Sequence, residues 1–170
     1  MRKHKETFIP YYNQFKNKIF NYFLYRVGFD SPLAEDLTSE VFVKAFKNFD
    51  QFDETKKFQS WIYTIAHNHL VNHYKSDKHE VSLDLVKDFL QYFDKKAEEK
   101  YELERIFKII DSMDKTDSEI LQLKLVDELN NQEIADILEK EEGTIRTQIS
   151  RSLGKLRKIL NSNNGEYGKF

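Results

Sequence analysis

From residue 33 to residue 142 the chain contains neither glycine nor proline. Sheets reverse direction often and draw on both residues for their turns, so so long a stretch without either points to helices. The whole sequence holds only 5 Gly and 2 Pro among 170 residues. The expected fold class is all-α: two small helical domains joined by a linker, the C-terminal one carrying a helix-turn-helix. Hydrophobic residues at 39% and aromatics at 14% suffice for packed cores and argue against wholesale disorder. Cysteine is absent, which rules out a disulfide framework or a thiolate metal site. No run approaches the ~20 apolar residues of a membrane span. The expectation is a cytoplasmic protein with no membrane insertion of its own.

Two helical patterns meet in residues 131–160, NQEIADILEKEEGTIRTQISRSLGKLRKIL. The break between them is about four residues, the length a helix-turn-helix uses. Ile134, Ile137 and Leu138 form the packing side of the first half, and Ala135 is small enough for two crossing helices to approach closely. In the second half Ile145, Ile149, Leu156 and Leu160 recur on one side. Thr144, Thr147, Gln148, Arg151, Lys155 and Lys158 fall on the other. Such a basic, hydroxyl- and amide-bearing stripe suits a helix in a DNA major groove, where cations meet phosphates and guanine edges. The competing reading is a solvated face on an amphipathic helix. The preceding half-helix favours DNA binding.

Charge supports a local DNA contact rather than a generally sticky surface. The net charge is only -2. Residues 1–79 carry 12 basic and 9 acidic side chains, residues 80–119 carry 7 and 12, and residues 120–170 carry 8 of each. Within residues 142–160, Arg146, Arg151, Lys155, Arg157 and Lys158 face only Glu142.

Upstream, residues 8–29 hold nine aromatics. Phe8, Tyr12, Phe15, Ile19 and Tyr22 with Phe23 recur at helical intervals, which predicts a thick buried helix ended by Gly28. Ser31 as N-cap and Pro32 open the next helix. It turns Leu37, Val41, Phe42, Ala45, Phe46 and Phe49 inward and leaves Glu35, Asp36, Ser39 and Glu40 outside. Residues 50–57 lack periodicity and read as a loop. A third helix follows, burying Phe58, Trp61, Ile62, Ile65 and Leu70. Tyr63, Thr64, His67, Asn68, Asn72 and Lys75 are left for its surface, where amides, aromatics and cations together can hold unstacked bases. An ordinary polar face is the competing reading there.

Residues 76–99 read as an acidic linker with a short apolar helix. Beyond it, Thr116 and Glu119 match a capping box, and Asn130 with Glu133 matches another. His69 and His73 stand one turn apart, a spacing that can chelate a metal. Neither a following glutamate nor a third ligand accompanies them, so no metal and no cofactor is expected. No glycine-rich phosphate loop or nucleophile elbow is present, and no enzymatic role is expected.

The ordered set LAEDLTSEVFVKAF, a polar loop, FQSWIYTIAHNHLVNHYKSDK, a linker and EIADILEKEEGTIRTQISRSLGKLRKIL resembles bacterial extracytoplasmic-function sigma factors, of the sigma-70 family. The likeness covers roughly residues 8–160. It implies an N-terminal domain over 1–78, a linker over 79–100, a C-terminal domain over 101–162 and a tail over 163–170. It further implies that Asp36, Ser39 and Glu40 face the clamp helices of the largest subunit of core RNA polymerase, while the C-terminal domain meets the flap of the second-largest subunit. Lys57, Tyr63, Asn68, Asn72 and Lys75 would engage the melted minus-ten element, with the 50–57 loop capturing a flipped base. Thr144, Arg146, Thr147, Gln148, Ser150, Arg151 and Lys155 would read the minus-thirty-five element as duplex. The linker would thread polymerase channels otherwise used by RNA, and an anti-sigma factor would be a further partner. Several positions depart from the family pattern: Ser39 replaces a common glutamine, Glu139 a glycine, Lys140 an apolar residue and Gln148 a basic one. The alternatives are a conventional helix-turn-helix regulator acting without polymerase, and a metal-dependent helical hydrolase built on His69 and His73.

Overall fold

A computed structural model describes residues 2–76 and 107–164. The proposed linker and tail therefore lie outside the described residues. Those described fall into two compact units, α1 to α3 in the first and residue 107 onward in the second. Among them there is no strand.

In the first unit α1 spans Arg2–Arg26, α2 spans Ser31–Lys47 and α3 spans Phe58–Ser76, with a 3-10 turn at Phe49–Gln51 between α2 and α3. The aromatic spacing of α1 becomes a buried stripe of Phe8, Phe15, Ile19, Tyr22 and Phe23. Against it α2 places Ala34, Leu37, Val41, Phe42 and Ala45, and α3 places Phe58, Ile62, Ala66 and Leu70. The alanines are fully buried and carry no bulk beyond Cβ, which lets the helix axes come close. Phe8 sits at the centre of an edge-to-face cluster, 5.3 Å from Phe46, 5.1 Å from Phe49 and 6.1 Å from Phe58. Each such pair adds about 0.5–1.5 kcal/mol to the area it buries.

The first turn closes with Gly28 and Phe29 both left-handed, at φ 66 and 65. The Phe29 amide donates to the Leu24 carbonyl, satisfying an acceptor the helix end would leave open. The cap of α2 corrects the expectation of Ser31. Asp30 stands outside the helix and accepts from the Leu33 amide at 3.0 Å, so Ser31 is already helical. A carboxylate there also faces the positive end of the helix dipole.

In the second unit a helical segment at 107–112 precedes α4 at Lys115–Leu121, which widens into a π-helical turn at Gln122–Val126. α5 spans Asn131–Leu138 and α6 spans Glu142–Asn164. Ile109, Ile110, Leu121 and Leu156 form one apolar cluster, with Met113, Ile159 and Leu160 at its edge. The expected box at Thr116 and Glu119 is also corrected. Asp114 caps α4 by accepting from the Asp117 amide at 3.1 Å, so Thr116 lies within the helix. In the π-helical turn the Asp127 amide reaches the Gln122 carbonyl at 3.0 Å, and Leu125 lies exposed.

Asn130 and Glu133 do form the capping box, each side chain accepting from the other's amide at 2.9 Å. The Glu139 backbone is left-handed, φ 53 and ψ 46, a conformation that glycine adopts without strain. Holding a side chain there costs about 1 kcal/mol.

Candidate nucleic-acid interface

The two faces of α6 separate as helical spacing requires. Ile145, Ile149, Ser152 and Leu156 are buried, while Thr144, Arg146, Thr147, Ser150, Arg151 and Lys155 are exposed and Gln148 is half-buried. Ile134, Ala135 and Ile137 of α5 are buried in the same unit, where α5 packs on α6. Apolar packing thus decides which side chains of α6 remain outside.

Local bonds then order that outer stripe. Arg146 donates to Glu142, one turn earlier, at 2.9 Å. The Thr147 hydroxyl donates to the Gly143 carbonyl at 3.0 Å. Lys140, in the turn before α6, reaches Gln148 Oε1 at 3.5 Å.

Lys155 behaves differently from its neighbours. Its ammonium donates to Asp114 at 3.1 Å and to Asp117, although the side chain remains 56% exposed. Asp117 is buried and also accepts from the Ser152 hydroxyl. The adjacent Asp117, whose backbone amide donates to it, and then the Lys155 ammonium hold the Asp114 carboxyl down at about 2. The Lys155 ammonium is pushed up by its bonds to Asp117 and then Asp114. A cation so engaged is a tie between α4 and α6 before it is a contact for DNA.

In the first unit Asn68, Asn72 and Lys75 are exposed along α3, and Lys57 is exposed just before it. Tyr63 was expected beside them and is not. It is 1% exposed, its ring edge-on to Tyr22 at 5.6 Å. Its position next to Ile62 puts it against α1 rather than on the amide-bearing face. Trp61 and Ile65, expected in the core, are half-buried instead.

The loop before α3 is anchored from below, which its composition did not reveal. Phe52 stacks on Phe49 at 5.9 Å and lies 5.1 Å from Trp61. Beyond Phe52, Asp53 accepts from both the amide and the hydroxyl of Thr55. Those bonds, from the hydroxyl first, lower the Asp53 carboxyl. At the far end of α3 the Tyr74 hydroxyl donates to the Arg26 carbonyl, tying α3 to the end of α1.

Asp36, Ser39 and Glu40 are exposed on α2, opposite buried Leu37, Val41 and Ala45. His69, one of the two histidines weighed as metal ligands, has Nε2 2.8 Å from Glu40 Oε2. The contact has ion-pair distance without hydrogen-bond direction. It links α3 to the acidic face of α2.

Residues 12–80 match the family model Sigma-70 region 2, and residues 103–156 match Sigma-70, region 4. The ECF RNA polymerase sigma factor SigW of Bacillus subtilis (strain 168) is 31% identical, over 92% of this chain and 90% of its own length. The RNA polymerase sigma factor YlaC of the same strain is 26% identical, over 96% of this chain and 98% of its own. Among solved structures, CnrH in complex with the cytosolic domain of CnrY is similar at a TM-score of 0.68, with 19% identity over 93% of this chain and 90% of that one. RpoE in complex with the anti-sigma factor NepR from Bartonella quintana is similar at a TM-score of 0.63, with 15% identity over 95% and 98%. These two likenesses concern the fold.

Proposed function

The chain belongs to the extracytoplasmic-function sigma factors of bacterial RNA polymerase, and on that premise we propose how its two units divide promoter recognition between them. As such a factor it directs promoter recognition, strand opening and transcription initiation. The second unit reads the minus-thirty-five element as intact duplex through Thr144, Arg146, Thr147, Gln148, Ser150 and Arg151. The first unit docks on the polymerase clamp through Asp36, Ser39 and Glu40, and holds the melted minus-ten strand through Lys57, Asn68, Asn72 and Lys75. Domain limits of 1–78 and 101–162, with an acidic linker between, belong to the same reading.

The observation that carries it is the split of α6 into a buried apolar side and an exposed side of hydroxyl, amide and cationic groups. Arg and Lys there supply phosphate contact, and Arg, Gln and Thr supply base-edge contact. We assign Lys155 to holding α6 in place, since its ammonium already bonds two carboxylates. Tyr63 is left out of the strand-binding set because it is buried. The chain does no covalent chemistry in this scheme and works in the cytoplasm with core polymerase, whose flap takes the second unit. RpoE was solved with an anti-sigma factor, and an inhibitor of that kind is the expected further partner. A conventional regulator is disfavoured because the likeness to SigW runs through both units, not through the helix-turn-helix alone.

The test is reconstitution of core polymerase with the purified protein on genomic promoters. Specific initiation that depends on the protein is expected. Tight duplex binding by the free protein, with no polymerase-dependent initiation, would contradict the proposal.

A further inference from the structure

Two features of α6 stand out once its outer face is read against DNA. First, Glu142 and Arg146 are paired at 2.9 Å, with the arginine side chain 70% exposed and the glutamate 41% exposed. Second, a Cβ at Gly143, between them in sequence, would meet nothing within 4 Å. The fold does not need a glycine there, and the surface beside the pair is low enough for another molecule to approach closely.

A carboxylate at this place is costly for DNA binding in general. It repels phosphate, and in a helix-turn-helix the first residues of the second helix are the ones nearest base edges. Its interaction with the helix dipole is favourable but small. Its pairing with Arg146 is of similarly modest energy but acts on where the guanidinium points. An unrestrained arginine can satisfy itself on any phosphate and so adds affinity without sequence information. Held by Glu142 through one guanidinium nitrogen, the fork is kept along the helix and ordered before binding, with its remaining N–H groups free to meet a paired acceptor. In the major groove that pair of acceptors is guanine O6 and N7.

We propose that Glu142 is a positioning residue for promoter specificity: it holds the Arg146 guanidinium for a guanine edge in the upstream duplex and keeps it from the phosphate backbone. The inference rests on the reading of α6 as the helix that enters the upstream element. Glu142 gives up general affinity and adds discrimination, because Arg146 contributes fully only where the guanine is present.

The test uses holoenzyme reconstituted from core polymerase and the full chain. Bound DNA is selected from duplexes randomised upstream of a constant, pre-melted minus-ten region. Wild type is expected to require a guanine at one upstream position. Glu142→Ala should lower that preference about twofold, the scale of an exposed pair one turn apart on a helix, while binding to unrelated duplex becomes about twofold tighter. Arg146→Ala should abolish the preference, and adding Glu142→Ala to it should change discrimination no further. Thermal unfolding of each variant reports whether the fold is kept. If Glu142→Ala changes binding to all sequences equally and leaves the guanine preference at its wild-type value, the glutamate is only a helix-end group and the proposal is overturned. If instead it removes a cytosine preference that Arg146→Ala leaves intact, Glu142 reads a base itself and the proposal is likewise overturned. A wild-type holoenzyme with no upstream preference would remove the parent reading of α6, which is a distinguishable failure.

Discussion

Lys155 turns its ammonium onto the buried carboxylate of Asp117, 38 residues earlier in the chain, and Ser152 donates its hydroxyl to the same group. Asp114, which caps α4, takes a second bond from Lys155. A buried carboxylate needs such partners, and losing one exposes the full cost of burying the charge. The orientation of α6 is therefore set by α4 as well as by the apolar core.

The two basic residues Lys155 and Arg151 should then part company in a salt titration. Arg151→Ala is expected to lower the salt slope of promoter binding by about 1, as loss of one phosphate contact does. Lys155→Met should leave the slope unchanged and lower the melting temperature of the second unit. Ser152→Ala should cost about 2 kcal/mol, the worth of a hydrogen bond to a charged group. A slope change in Lys155→Met equal to that of Arg151→Ala would show that Lys155 contacts phosphate.

Acid should reach the same cluster in a defined window. The folded Asp114 carboxyl lies at about 2, below its ordinary value near 3.9. Its stabilising contribution is complete above the unfolded value and is lost as pH falls through the folded one. Stability of the second unit should thus decline between roughly pH 4 and pH 2, and Asp114→Asn should flatten that decline. Thermal melts of the two proteins across this range provide the check, and identical profiles would contradict it. The raised Lys155 ammonium has the opposite sign: its contribution is present below the usual lysine range and disappears above it.

The turn between α5 and α6 stores a correctable strain. Glu139 is left-handed, and its side chain is exposed, with nothing in the core depending on it. Glu139→Gly should stabilise the protein by about 1 kcal/mol in urea unfolding. A destabilised variant would mean that the glutamate side chain contributes more than its backbone costs.

Phe52 links the loop to the aromatic core, and its removal separates stability from strand capture. Phe52→Ala should cost about 1–2 kcal/mol, less than a fully buried phenylalanine, since the ring is half-buried. Open-complex formation should fall further than the stability loss alone explains, because the 50–57 loop loses its anchor. Unaltered strand opening would detach this loop from the minus-ten element.

Periodicity made much of this legible. The apolar side of α6, the Asn130 and Glu133 box and the left-handed Glu139 all follow from spacing or from a missing glycine within a few residues. What failed was of another kind. Asp30 and Asp114 cap where Ser31 and Thr116 were expected, because Asp, Ser and Thr are near-equal caps and local pattern does not choose among neighbours. Tyr63 falls among the amides and cations of α3 in sequence, yet its ring serves the interface with α1. Lys155 turned inward for the sake of a carboxylate far away in sequence, and no window along one helix reveals that. Phe52 sat in a polar, aperiodic stretch, and only the fold shows the rings of Phe49 and Trp61 beneath it.

Permanganate and nuclease footprinting of reconstituted polymerase on one promoter tests the division of labour most directly. Wild type should protect an upstream duplex segment and make downstream thymines reactive. Arg146→Ala should lose upstream protection, whereas Asn68→Ala should keep it and lose the reactivity. If Asn68→Ala removes upstream protection, or if the wild-type holoenzyme opens no promoter at all, the assignment of one unit to duplex and the other to opened strand is wrong.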